Sequence, residues 1–154
     1  MRGRRLHNAI VNELAWTCRA HGAWARTEAY LGPRVGWADI VAGNGTRLLL
    51  IEVELTPARV GSDLAKAIAL GANALIVATP NRRVRTACSA ALDSHEAAVS
   101  GPWLEVRVLT VGAAHVAIER YFGVVGAPYS PTAINQINAI NPSMPFAGDG
   151  EVSS

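Results

Sequence analysis

The chain has 154 residues, 50% of them hydrophobic, and a formal net charge of +2 at pH 7. This length and composition are enough for one domain with a substantial core. No apolar run reaches the ~18 residues of a membrane span, and no continuous apolar segment follows the basic N-terminus, as it would in a secretory signal. We therefore expect a cytoplasmic protein with no membrane partner. Cys18 and Cys88 are too few for a disulfide framework or a zinc site, so both are expected to be buried thiols in a reducing compartment.

The first half of the chain predicts a helix followed by three strands. Apolar side chains at every fourth position predict the helix, and Glu13 falls on its apolar face. The first strand contains Glu28, and Gly43-Asn44-Gly45 is a hairpin signal between the second and third strands. The third strand is apolar on both faces, which predicts a central strand covered on both sides. The predicted bounds are 5–21 for the helix and 24–31, 36–42 and 47–56 for the strands.

The second half alternates helices and strands. The strand at 74–79 is expected to run parallel to the strand at 47–56, because a helix separates them. The order predicts an α/β fold in which a central mixed sheet is flanked by helices, in the order αβββαβ. The remaining predicted elements are helices at 62–70 and 84–98, a strand at 104–111 and a further edge element at 116–122.

The composition changes near the C-terminus. Residues 126–154 are rich in Pro, Asn and Ser, which predicts a tail or an arm that docks on a partner, after a domain at 1–125. Arginines form two clusters, one at the N-terminus and one at the start of the predicted helix at 84–98. Each cluster can bind phosphates or be the solvent-exposed end of a helix. The clusters are Arg2, Arg4 and Arg5, and Arg82, Arg83 and Arg85.

Three carboxylates lie on two adjacent apolar strands, where they are costly unless a cation neutralises them. Glu52 and Glu54 point to one face of their strand. Counting back from the turn places Asp39 opposite Leu49 or Leu50, and a bulge would bring it closer to Glu52. An oxygen-rich patch without His or Cys suits Mg²⁺ or Mn²⁺, and phosphodiester hydrolysis fits such a site. The alternatives are a hydrated strand end for the two glutamates and a turn-flanking role for Asp39.

Asp39, then Glu52-Val53-Glu54 at the end of a buried strand, then a helix, resembles the PD-(D/E)xK nucleases, the restriction-endonuclease-like superfamily. The resemblance implies a restriction-endonuclease-like core in which Asp39 and Glu52 bind the metal, with the carbonyl of Val53 as a further ligand. In that family a glutamate of the first helix or first strand often completes the site. Glu13 and Glu28 occupy those places, although Glu13 pairing with an arginine and Glu28 on an exposed strand position are the simpler alternatives.

The sequence departs from the family pattern at Glu54, where lysine is usual. Some restriction enzymes carry Glu-x-Glu, and the second glutamate is then a candidate general base. In other members the third residue moves to the following helix, where Lys66, the one lysine of the chain, is found. If Leu64 and Ile68 face the sheet, Lys66 points away from it, and a surface pair with Asp63 is the simpler interpretation.

The sequence thus predicts a divalent-metal-dependent DNA endonuclease acting on branched or damaged DNA, or in a restriction or mobile-element context. A homodimer, formed through the C-terminal arm, would supply two active sites. The first alternative is a catalytically silent module of the same fold that binds DNA or a protein partner. The second is an unrelated small α/β protein that binds a partner through its tail.

Overall fold

A computed structural model describes residues 2–45, 47–96 and 104–123 of the protein. Four α-helices, five strands and a short 3₁₀-helix lie within these ranges. The predicted C-terminal tail at 126–154 lies outside the described residues. In chain order the elements are α1 (Arg2–Ala20), β1 (Trp24–Tyr30), β2 (Trp37–Asn44), β3 (Arg47–Val53), the 3₁₀-helix (Pro57–Arg59), α2 (Val60–Leu70), β4 (Ala74–Thr79), α3 (Arg82–Glu96), β5 (Glu105–Thr110) and α4 (Val111–Phe122).

The five strands form one mixed sheet in the order β1-β2-β3-β4-β5. The pairs β1–β2 and β2–β3 are antiparallel, and the pairs β3–β4 and β4–β5 are parallel. Parallel neighbours need a crossover, which α2 and α3 supply. The predicted α/β class, the mixed sheet with flanking helices and the parallel pairing of β4 with β3 are therefore confirmed.

Strand β3 lies at the centre of the sheet, and its two faces belong to different cores. Leu49 and Ile51 pack into the cluster under α1 and α4, whereas Leu48 and Leu50 pack into the cluster under α2 and α3. All four side chains are at most 2% exposed. Burying one such side chain contributes roughly 1.5–3 kcal/mol, so this strand anchors both layers. The prediction of a central strand covered on both sides is confirmed, and both cysteines are buried as expected.

The predicted edge element at 116–122 is wrong, because this segment belongs to helix α4. The helix begins directly after β5, and its buried residues are Ala114, Ala117, Ile118 and Phe122. Their spacing of three or four residues forms one helical face, which packs against α1 and the sheet. Because burial of this apolar face requires helical spacing, the segment forms a helix rather than the predicted edge element.

The predicted turn at Gly43–Gly45 is also displaced. Asn44 pairs with Arg47, so Gly43 and Asn44 are the last residues of β2, and the turn starts at Gly45, whose φ is 62°. Gly43 lies under the indole of Trp24, and a Cβ atom at this position would come within 2.5 Å of the ring. The lack of a side chain at Gly43 therefore serves packing across β1 and β2 rather than the turn.

Candidate metal centre

Glu52 is the last residue but one of β3 and is 2% exposed. It alternates with Leu48 and Leu50 and so faces α2. Its Cα lies level with that of Val77 on the parallel strand β4. The site is therefore at the carboxyl ends of parallel strands, where α/β sheets commonly hold ligands.

Asp39 lies near Glu52, just beyond the last residue pair of the β2–β3 ladder. Ile40 and Ile51 form the last residue pair of this ladder, and Asp39 and Glu52 are the residues next to that pair at the end of the ladder. The predicted position opposite Leu49 or Leu50 is therefore wrong, because the hairpin turn begins later than expected. The same carboxylate oxygen of Asp39, Oδ2, accepts a hydrogen bond from the Val53 N–H at 2.8 Å and lies 3.0 Å from His7 Nε2.

Helix α2 brings an acid and a lysine to Glu52. Its buried face consists of Val60, Asp63, Leu64, Ala67 and Leu70, and Asp63 is 0% exposed. Lys66 Nζ lies 3.3 Å from Glu52 Oε1 and 3.4 Å from Asp63 Oδ1, with the lysine side chain 12% exposed.

The interpretation of Asp63 and Lys66 as a surface pair is therefore wrong. The buried face of α2 is centred between Leu64 and Ala67, and Ile68 is only half-buried. On a helix with about 100° per residue, Lys66 and Ile68 then flank the buried face on opposite sides. The long side chain of Lys66 bends from the flank towards the carboxylates.

Carboxylate oxygens of Glu52, Glu54 and Asp63 all lie within 4.8 Å of one another. Among the described residues, Glu52 Oε1 and Asp63 Oδ2 are buried with no hydrogen-bond partner. The Lys66 ammonium lies 3.3 Å from Glu52 Oε1 and offsets part of the charge of that carboxylate. Buried carboxylate oxygens without donors are costly, and a set of oxygen ligands suits Mg²⁺ or Mn²⁺. This cluster can hold a divalent cation.

The cluster also shifts the protonation equilibria of its members. Burial raises the pKa of Glu52 to about 9, Asp39 adds to the shift, and Lys66 opposes it. Burial, with the neighbouring charge of Asp63, raises the pKa of Glu54 to about 8. Burial also raises the pKa of Asp63, against the effect of Lys66. Burial alone would lower the pKa of Lys66, but Glu52 and Asp63 outweigh it and hold that pKa above its usual value.

An open pocket of about 350 Å³ lies over these groups. Its lining includes Asp39, Glu52, Glu54 and Lys66, together with the Val53 main chain and His7. The sequence interpretation missed His7, for which the sequence carries no distinct signal. It also missed Asp63 as a site residue, although an acid on the apolar face of the helix after the Glu52 strand was a usable signal.

The structure does not bring Glu13 and Glu28 into this cluster. The Glu13 side chain is 67% exposed, and its Oε2 lies 3.9 Å from His115 Nε2 on α4, so its partner is not the expected arginine. Glu28 is exposed and has a φ of 48°. It lines a separate pocket of about 290 Å³ that also includes Asp39, so Glu28 approaches the site from its outer side.

Both arginine clusters lie at the same edge of the sheet as the carboxylates. Gly3, within the first cluster, is next to Leu55, which lines the pocket. Helix α3 starts just after Thr79, the last residue of β4, and so presents the second cluster at the carboxyl end of that strand. All six side chains are exposed: Arg2, Arg4, Arg5, Arg82, Arg83 and Arg85.

Comparison with protein-family models and with curated proteins gives no match for this chain. Within the described ranges, no helix combines the length and apolar character needed to cross a bilayer.

Proposed function

We propose that the protein is a divalent-metal-dependent DNA endonuclease with a restriction-endonuclease-like fold. The observation that carries this proposal is the pair of buried carboxylate oxygens without hydrogen-bond partners, one on Asp63 and one on Glu52, which lines the pocket together with Lys66. The element order αβββαβ, and the positions of Asp39 and Glu52 next to the last residue pair of the β2–β3 ladder, support the fold assignment. A packing role explains this cluster poorly, since leucine would fill the same space without the cost of desolvation.

Glu52 is the central ligand in this proposal, with Glu54 and Asp63 on one side and Asp39 and the Val53 carbonyl on the other. A bound Mg²⁺ or Mn²⁺ would neutralise charge on the scissile phosphate and make a water more acidic. Lys66 stays charged, so its role is to stabilise negative charge that develops on the phosphate. Glu54 lines the same pocket and would accept a proton from that water as a general base.

The arginine clusters would hold the DNA backbone on both sides of the pocket. Phosphate contacts by arginine make binding strongly salt-dependent. Cutting both strands requires two active sites, so we include a homodimer, assembled through the C-terminal arm at 126–154, in the proposal.

The test is a cleavage assay on paired duplex, nicked, single-stranded and four-way-junction DNA with Mg²⁺ or Mn²⁺. Glu52→Gln should lower the rate at least 100-fold, because it removes a charged ligand. The matched control is Glu119→Gln, the same change at an exposed position on α4, which should cleave at the wild-type rate. Full cleavage by Glu52→Gln would contradict the proposed site.

A second candidate is a catalytically silent module of the same fold that binds DNA or a protein partner. The position of Lys66 favours it, because an ammonium 3.3 Å from Glu52 and 3.4 Å from Asp63 already supplies positive charge to the cluster. Titration calorimetry with Mg²⁺ and Mn²⁺ separates the two. If the protein is an enzyme, wild type should bind a divalent ion and Glu52→Gln should not. If it is a silent module, wild type should not bind a divalent ion at this site.

A further inference from the structure

An exposed tryptophan, packed against a half-buried tyrosine, borders the pocket that contains the carboxylates. Trp37 is the first residue of β2 and is 54% exposed. It stands opposite Tyr30 in the β1–β2 register, with ring centroids 5.0 Å apart. Trp37 also lines the same pocket as Asp39 and Lys66. A large aromatic surface is thus presented to solvent beside the candidate metal centre.

This position is unusual for a tryptophan with only a packing role. An indole buries up to about 250 Å² in a core, yet more than half of Trp37 stays in water. The Tyr30 ring packs against Trp37 at an interplanar angle of 45°, and a side chain that is held by a neighbour loses less entropy when it binds a ligand. A preorganised, half-exposed ring in a polar pocket is suited to bind a flat apolar surface.

We propose that Trp37 is a stacking platform for an unpaired nucleobase, so that the substrate class of this site is DNA with an unpaired nucleotide next to the scissile phosphate. The inference rests on the proposed nuclease function. In a paired duplex the faces of each base are covered by its neighbours, whereas a single-stranded, gapped or extruded base offers a free π-face. The charge around the site fits the same ligand, because both arginine clusters lie at the same edge of the sheet as the pocket and would bind backbone phosphates there.

The first experiment measures binding of labelled oligonucleotides in EDTA, by fluorescence anisotropy, so that no cleavage contributes. Trp37→Ala should weaken binding of a 20-nucleotide single strand about 5- to 100-fold, the usual range for loss of one stacked base. Binding of the paired duplex should change less than twofold, and Trp37→Phe should retain most of the affinity. The matched control is Trp16→Ala, on α1, where the indole is 70% exposed and outside the pocket lining.

Equal weakening on both DNAs, no weakening, or the same effect from Trp16→Ala would overturn the proposal. If Trp37→Ala fails to fold by circular dichroism, Trp37→Leu takes its place, since it keeps apolar bulk without an aromatic face.

A second experiment compares cleavage of gapped and paired duplex with Mg²⁺. The platform is supported if wild type cleaves gapped DNA faster than paired duplex and Trp37→Ala removes this difference. If wild type and Trp37→Ala each cleave the two DNAs at equal rates, the platform is overturned and the nuclease function stands. If no DNA is cleaved but binding of single strands still depends on Trp37, the nuclease fails and the stacking site stands.

Discussion

Glu52 should destabilise the metal-free protein at neutral pH, and Glu52→Gln should remove that cost. The pKa of Glu52 is raised from 4.5 to about 9. Between these values the folded protein keeps the Glu52 proton and the unfolded chain releases it. The unfolded state therefore binds fewer protons, and the free energy of unfolding falls as the pH rises.

The size of the effect follows from the pKa shift. Each pH unit above 4.5 costs the folded protein about 1.4 kcal/mol relative to the unfolded chain, which gives about 3 kcal/mol at pH 7. Glutamine resembles the neutral glutamic acid but does not ionise in the unfolded chain. Glu52→Gln should therefore be about as stable as wild type near pH 4.5 and about 3 kcal/mol more stable at pH 7.

Urea denaturation in EDTA, at half-unit steps from pH 4.5 to 8, measures this difference. The control Glu119→Gln should stay within about 0.5 kcal/mol of wild type at every pH, as surface substitutions do. Added Mg²⁺ should stabilise wild type, through binding to the ionised carboxylate, and leave Glu52→Gln unchanged. A difference between Glu52→Gln and wild type that does not grow with pH would refute the reasoning, as would a loss of stability in Glu52→Gln at pH 7.

Three further predictions concern the neighbours of Glu52 and the β1–β2 packing. Lys66→Met should tighten Mg²⁺ binding in calorimetry, because it removes a competing cation, and should still lower the cleavage rate at least 100-fold; weaker metal binding would contradict this. Asp63→Asn should weaken Mg²⁺ binding at least tenfold by the same measurement, whereas unchanged affinity would exclude Asp63 from the ligand set. Gly43→Ala should lower the free energy of unfolding in urea by about 1–3 kcal/mol, because its Cβ would come within 2.5 Å of the Trp24 ring; a variant as stable as wild type would show that the ring can move.

The strands and their layers could be predicted from the sequence because the signals are local. Strand β3 is apolar on both faces, and this pattern alone identified it as central. Helix α4 could not be predicted in the same way. It follows β5 without a turn residue, and its buried face exists only because α1 provides the surface that Ile118 and Phe122 contact.

The candidate site was predictable in its strand residues and less so in its helix residues. Glu52 and Asp39 were identified because acids in apolar strands are unusual in themselves. Their register was not, since Gly43 and Asn44 belong to β2, where Asn44 pairs with Arg47, and the turn therefore begins later than the Gly-Asn-Gly signal suggests. The position of Lys66 depends on which side of α2 meets the sheet, and the structure centres the buried face on Leu64 and Ala67, with Ile68 at its margin, rather than between Leu64 and Ile68.

The burial of Asp63 is the strongest argument that the cluster serves a ligand. The site contains four carboxylates, from Asp39, Glu52, Glu54 and Asp63, and one ammonium group, which contacts Glu52 and Asp63, so the cluster stays negative if all four ionise. The fold could reduce this charge by protonation, as the raised pKa values of Glu52, Glu54 and Asp63 indicate, but this leaves a stability cost at neutral pH. A divalent cation removes that cost by letting the acids ionise where they are. Metal binding should then release protons at pH 7, which the silent module would not do, and calorimetry in buffers of different ionisation enthalpy counts them directly.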